Sequence, residues 1–165
     1  MNVVLAKSAG FCPGVKRAVD MVYEQSEKCK NLEPVYTYGP IIHNDEVVKD
    51  LENKGVKVIH EDDDFQNLPK GTVIIRSHGV SRNVQNKIEN AGFHVQDATC
   101  PFVKRIHNIV EEQGREGRDI LIIGDPKHPE VQGIVGWCLT PVTVIQSIEE
   151  AEAFCMDKSR KLCII

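Results

Sequence analysis

The chain has no long apolar run: nothing in its 165 residues approaches the ~18 consecutive apolar residues of a membrane span. A membrane-spanning protein is therefore not expected. An excess of basic charge is also missing. The net charge is −4 and the isoelectric point about 5.9, so no global positive field invites nucleic acid. The start, "MNVVLAKSAG", shows no charged leader followed by a cleavage site, and the expectation is a mature cytoplasmic protein. Paired CxxC motifs are absent although there are six cysteines, Cys12, Cys29, Cys100, Cys138, Cys155 and Cys163. Zinc-finger and thioredoxin-type motifs are thereby disfavoured. Without an export signal these thiols are expected to stay reduced, free for metal ligation, catalysis or burial.

What is present is an ordinary globular composition, 41% hydrophobic and 27% charged, at a length that suits one domain or two small ones. β-Branched runs predict strands at "NVVLA" (2–6), "VYTYG" (35–39), "VKVI" (56–59), "TVIIRS" (72–77), "FHVQDAT" (93–99), "DILIIG" (119–124), "VTVI" (142–145) and "KLCII" (161–165). Helical patterns lie between most of them. Residues 14–30 set Val15, Ala18, Val19, Val22 and Tyr23 on one stripe. Asn44 and Ser81 cap helices over 44–54 and 81–91, and Gly92 ends the second. Pro101 opens 101–116, and "SIEE" at 147–150 is a capping box. Strands alternating with helices predict an α/β fold of mostly parallel sheets.

One word occurs twice: "CPGVKR" at 12–17 and "CPFVKR" at 100–105. Each copy follows an expected strand and opens an expected helix. The repeat predicts two related βα lobes, 1–98 and 99–165. Five side chains with useful chemistry, Cys12, His43, His78, Cys100 and His128, each follow an expected strand, where parallel α/β units collect function. A thiol at a helix start is favoured as thiolate, the form that binds iron or zinc. Imidazoles beside turns and helix starts suit an anion, phosphate above all. Glu130, two residues past His128, is either a stabilising helix-start charge or a proton relay. Lys16, Arg17, Lys104 and Arg105 are solvated helix charges or add positive potential near the cysteines. His60, His94 and His107 fall outside the pattern and are expected to be structural. Cys138, Cys155 and Cys163 are expected to be small buried residues. Three readings stay open on these residues alone: a metal-dependent enzyme acting on a phosphorylated substrate, a non-catalytic anion-binding module with structural cysteines, and a zinc or thiol-redox protein.

"AGFCPGVKRAV", "YGPIIHN", "RSHGVS", "DATCPFVK" and "HPEVQG", in that order, resemble the 4-hydroxy-3-methylbut-2-enyl diphosphate reductases of the non-mevalonate isoprenoid pathway. The resemblance implies a three-lobed α/β protein around a [4Fe-4S] cluster, whose open iron meets the substrate hydroxyl. It implies reductive dehydroxylation of that diphosphate to isopentenyl and dimethylallyl diphosphates, with a ferredoxin or flavodoxin as electron donor. By this resemblance Cys12 and Cys100 are cluster ligands and His43, His78 and His128 hold the diphosphate. Glu130 relays protons, with His128 beside it in the catalytic set. The third ligating cysteine and the third pseudo-equivalent lobe have no counterpart here. His78 lies 66 residues after Cys12, and the same offset from Cys100 falls at position 166. A truncated second lobe, and a chain inactive by itself, are the expectation.

Overall fold

The computed structural model describes residues 2–30, 32–155, 157 and 159–165. Two parallel sheets carry the fold. The first contains β1 (Val35–Tyr38), β2 (Lys57–Ile59), β3 (Thr72–Ile75) and β4 (His94–Asp97), in the order β2-β1-β3-β4. The second contains β5 (Asp119–Ile123), β6 (Val142–Ile145) and β7 (Leu162–Ile164), in the order β6-β5-β7. Every pairing is parallel. The two central strands of the first sheet, β1 and β3, are buried at every position, as a strand covered on both faces should be.

The helices follow from their ends and stripes. They are α1 (Pro13–Lys28), α2 (Asp45–Asn53), α3 (Arg82–Asn90), α4 (Pro101–Arg115), α5 (Pro129–Val135) and α6 (Ile148–Ala153). Asn44 accepts from the Val47 amide, Ser81 from Val84 and Ser147 from Glu150. Each caps its helix as the sequence predicts, at a typical worth of ~1 kcal/mol. Ala18, Val19 and Val22 of α1 are buried against Ile74 of β3 and Leu51 of α2. The other face of the first sheet packs Tyr36, Val73 and Ile75 on Phe65, Ile88 and Phe93. In the second sheet Ile120 and Ile122 pack on Val110, Val131 and Ile134.

The N-terminal run is a correction. Residues 2–6 form no strand, and Val3, Val4 and Leu5 are 81%, 90% and 82% exposed. A β-branched run becomes a strand only when a neighbour accepts its amides and buries one face. No described strand does so. Cys12 therefore follows an irregular segment rather than a strand, although it still caps α1.

Candidate functional site

The strand orders locate the site before any side chain is considered. From β1 the chain steps to β2 on one side, and from β3 to β4 on the other. The order of the first sheet therefore reverses between β1 and β3, and a parallel sheet opens a crevice at the carboxyl ends of such a pair. His43 lies in the loop after β1 and His78 in the loop after β3. His128 lies in the loop after β5, the central strand of the second sheet.

The three imidazoles meet. Ring centroids are 4.7 Å apart for His43 and His78, 5.6 Å for His78 and His128, and 6.3 Å for His43 and His128. One nitrogen from each lies within 4.8 Å of the others. Such a cluster can hold a metal through lone pairs or an oxyanion through N–H groups. The His128 ring decides between them. It caps α5, and its Nδ1 accepts the Glu130 amide at 3.2 Å, so its proton sits on Nε2 as a donor. Burial, and after it His43, Arg76 and His128, push the His78 pKa down to about 4. At neutral pH that ring is an uncharged hydrogen-bond donor, and an arriving anion would favour its charged form.

Backbone hydrogen bonds fasten these loops together. The Ser77 amide and hydroxyl both donate to the Ile41 carbonyl, at 3.3 and 3.2 Å. The Ser77 carbonyl accepts the Cys100 amide at 2.8 Å. These bonds tie the loops after β1, β3 and β4 to one another. Next to His43 and His78 opens a cavity of about 250 Å³ with Phe11, Val15 and Ile42 on its apolar wall. A second cavity of about 320 Å³, near Cys29 and Glu33, lies at the amino ends of the strands, away from the imidazoles.

The two copies of the repeated word also meet. A Cβ on Gly14 would lie 2.5 Å from Cys100 Sγ, so the sulfur of the second copy rests on the first turn of the helix that Cys12 begins. That contact accounts for the one difference between the words: glycine leaves room for the Cys100 sulfur where the other copy carries Phe102, which is 75% exposed. Arg17 donates to the carbonyls of Thr99 and Asp97, both at 3.1 Å, and so ties α1 to the turn before Cys100. It is a structural tether rather than a free charge.

Neither Cys12 nor Cys100 caps its helix through its side chain, and both are free thiols. Two soft donors without competing bonds fit iron–sulfur ligation. The remaining cysteines suit it less. Burial pushes the Cys29 thiol up, and pushes Cys138 to about 11. Cys163 lies on β7, and Cys155 is exposed, contrary to the expected burial. Glu130 stands in the first turn of α5. The sequence reading missed Ser77, Gly14 and the apolar wall. Only Gly14 left a trace, as the mismatch within the repeated word.

Fold and site together define a parallel α/β protein of two sheets whose three imidazoles gather beyond the carboxyl ends of its strands, with Cys100 in the segment after β4. Residues 3–165 match the family described as LytB protein, and the chain belongs to that family. It is 50% identical over 153 residues to a 4-hydroxy-3-methylbut-2-enyl diphosphate reductase of Caldanaerobacter subterraneus subsp. tengcongensis, covering 92% of this chain and 52% of the relative. It is 43% identical to the Clostridioides difficile reductase of the same name, covering 100% and 58%. A solved reductase from Plasmodium falciparum superposes with a TM-score of 0.86 at 29% identity, covering 96% of this chain and 49% of that one. The chain thus spans about half the length of the curated relatives it matches.

Proposed function

We propose that the chain supplies two lobes, 1–98 and 99–165, of a cytoplasmic 4-hydroxy-3-methylbut-2-enyl diphosphate reductase. The overall change is removal of an allylic hydroxyl as water, with uptake of two electrons and two protons, giving isopentenyl and dimethylallyl diphosphates. The relatives carry this substrate in their names. The observation that carries the reading is the junction of three imidazoles with an apolar-walled cavity. An allylic diphosphate has the same two ends. His43, His78 and His128 donate N–H groups to diphosphate oxygens, while Phe11, Val15 and Ile42 receive the five-carbon chain. Glu130, beside His128, delivers protons to the substrate.

Cys12 and Cys100 are two thiolate ligands of a [4Fe-4S] cluster, and a third thiolate comes from beyond these residues. The cluster, when bound, supplies electrons, received from a ferredoxin or flavodoxin, and a Lewis-acidic iron for the hydroxyl. Exposure of Cys12 and the absence of thiol capping speak against the non-catalytic module with structural cysteines.

Calorimetric titration of the 165-residue chain with inorganic pyrophosphate tests the anion site. Binding is expected, and His78→Ala should weaken it by about 1.5–3 kcal/mol, the worth of one charge-assisted hydrogen bond. Equal affinity in wild type and variant would remove the diphosphate reading. The isolated chain should show no reductase turnover after anaerobic iron and sulfide reconstitution.

A further inference from the structure

His107 stands in the middle of α4, is 4% exposed, and its Nε2 has no hydrogen-bond partner among the described residues. A buried polar atom without a partner costs free energy, so the ring's place needs a reason. Its surroundings provide one. One face stacks on Trp137, with centroids 5.3 Å apart and planes 14° from parallel. Its edge meets the backbone of both segments that carry anion-site imidazoles. A Cβ on Gly79, the residue after His78, would lie 2.8 Å from His107 Cε1. Gly79 also has φ +73°, so the loop turns through a conformation that a larger residue would strain. A Cβ on Gly133, in the helix that His128 caps, would lie 3.6 Å from His107 Nε2 and equally far from the His78 carbonyl oxygen.

The stack is anchored on both sides. Trp137 donates its Nε1 proton to the Val80 carbonyl at 2.8 Å. The Arg82 guanidinium lies 4.7 Å from the Trp137 ring and pairs with Glu111, one turn beyond His107, at 2.7 Å. The ring is therefore wedged where the loop after β3, α4 and α5 converge.

We infer that His107 is a positioning residue for the anion site, a flat buried spacer that sets the distance between the His78 loop and the helix that His128 caps. The role rests on the reading of the three histidines as the diphosphate-binding set. Burial holds the His107 pKa down, to about 4, so at neutral pH the ring stays uncharged and stacks without needing a counter-ion. No bond joins His107 to the anion. It acts through the backbone of Gly79 and Gly133, and small displacements there move two donors relative to each other.

The test uses the 165-residue chain, labelled with ¹⁵N-histidine and titrated with inorganic pyrophosphate. His107→Gln keeps a flat group of similar reach and should bind within about twofold of wild type. His107→Ala removes the spacer. It should bind on the order of tenfold more weakly, with the His78 and His128 imidazole signals displaced before any ligand is added. Should His107→Ala fail to fold, His107→Leu, which fills the volume without a plane, carries the same expectation. Wild-type affinity and unmoved imidazole signals in the Ala or Leu variant would overturn the role, as would His107→Gln binding no better than His107→Ala. A wild-type chain that does not bind pyrophosphate counts against the diphosphate reading instead. The spacer role is then decided by the His78 and His128 signals alone.

Discussion

At the scale of single residues, Gly14 leaves the space that the Cys100 sulfur occupies. Alanine would improve the helix by about 1 kcal/mol, since glycine is a poor helix former. Its Cβ, however, would meet Cys100 Sγ at 2.5 Å. A short side chain escapes such a clash by changing χ1, at a cost of about 0.5–1.5 kcal/mol. The two effects nearly cancel. Gly14→Ala is therefore expected to leave the urea midpoint almost unchanged while turning the Cys100 thiol away from the first turn of α1. Iron retained per chain after anaerobic reconstitution should fall by half or more, on the order of a lost ligand's share. A large drop in the urea midpoint would show instead that the sulfur cannot move and that Gly14 is a packing residue.

At the scale of elements, β3 is the hub. It pairs with β1 and β4, lies under α1, and leads into the loop that carries Ser77 and His78. Ile74 within it is fully buried. Ile74→Ala should cost about 2–5 kcal/mol, the usual range for a cavity that cannot collapse, with an unchanged denaturant slope. A loss below ~1 kcal/mol would mean that the sheet relaxes around the gap. Much of this element level was legible in the sequence. Asn44, Ser81 and Ser147 announced helix starts because capping is a local interaction. The β-branched runs of β1 and β3 announced strands from local composition in the same way. The failures share one cause, since their deciding contacts lie far away in sequence. "NVVLA" has strand composition but no partner strand among the described residues. His107 was read as merely structural because nothing near it in sequence points to Gly79 or Gly133. The histidines were legible as a set only through their common position after strands. The strand order that makes His43 and His78 neighbours required the topology.

At the scale of the whole molecule, two histidines couple stability to pH. His78 and His107 both have pKa values held down to about 4, burial being the first cause for each, against 6.5 when exposed. Between those values the unfolded chain binds protons that the folded chain refuses. Stability therefore rises with pH across this window and is lost as pH falls from about 6.5 toward 4. The carboxylates act lower. Glu111, held down by its bond to Arg82, contributes stability that is full above about 4.5 and is lost only below that. The range from pH 6.5 to 5 thus belongs to histidine. The urea midpoint should be flat from pH 8 to 7 and decline steadily from 6.5 to 5. His107→Gln, which removes one of the two refused protons, should roughly halve that slope. Pyrophosphate at saturating concentration should act on the other. The anion favours the charged form of His78, so its presence should reduce the slope of the decline in wild type and variant alike, while the onset, set by the unfolded chain, stays near pH 6.5. A midpoint that holds constant between pH 7 and 5 would mean that both rings take up protons in the folded chain. The close-packed contacts at Gly79, Gly133 and Trp137 would then have to open at a pH where the protein is still folded.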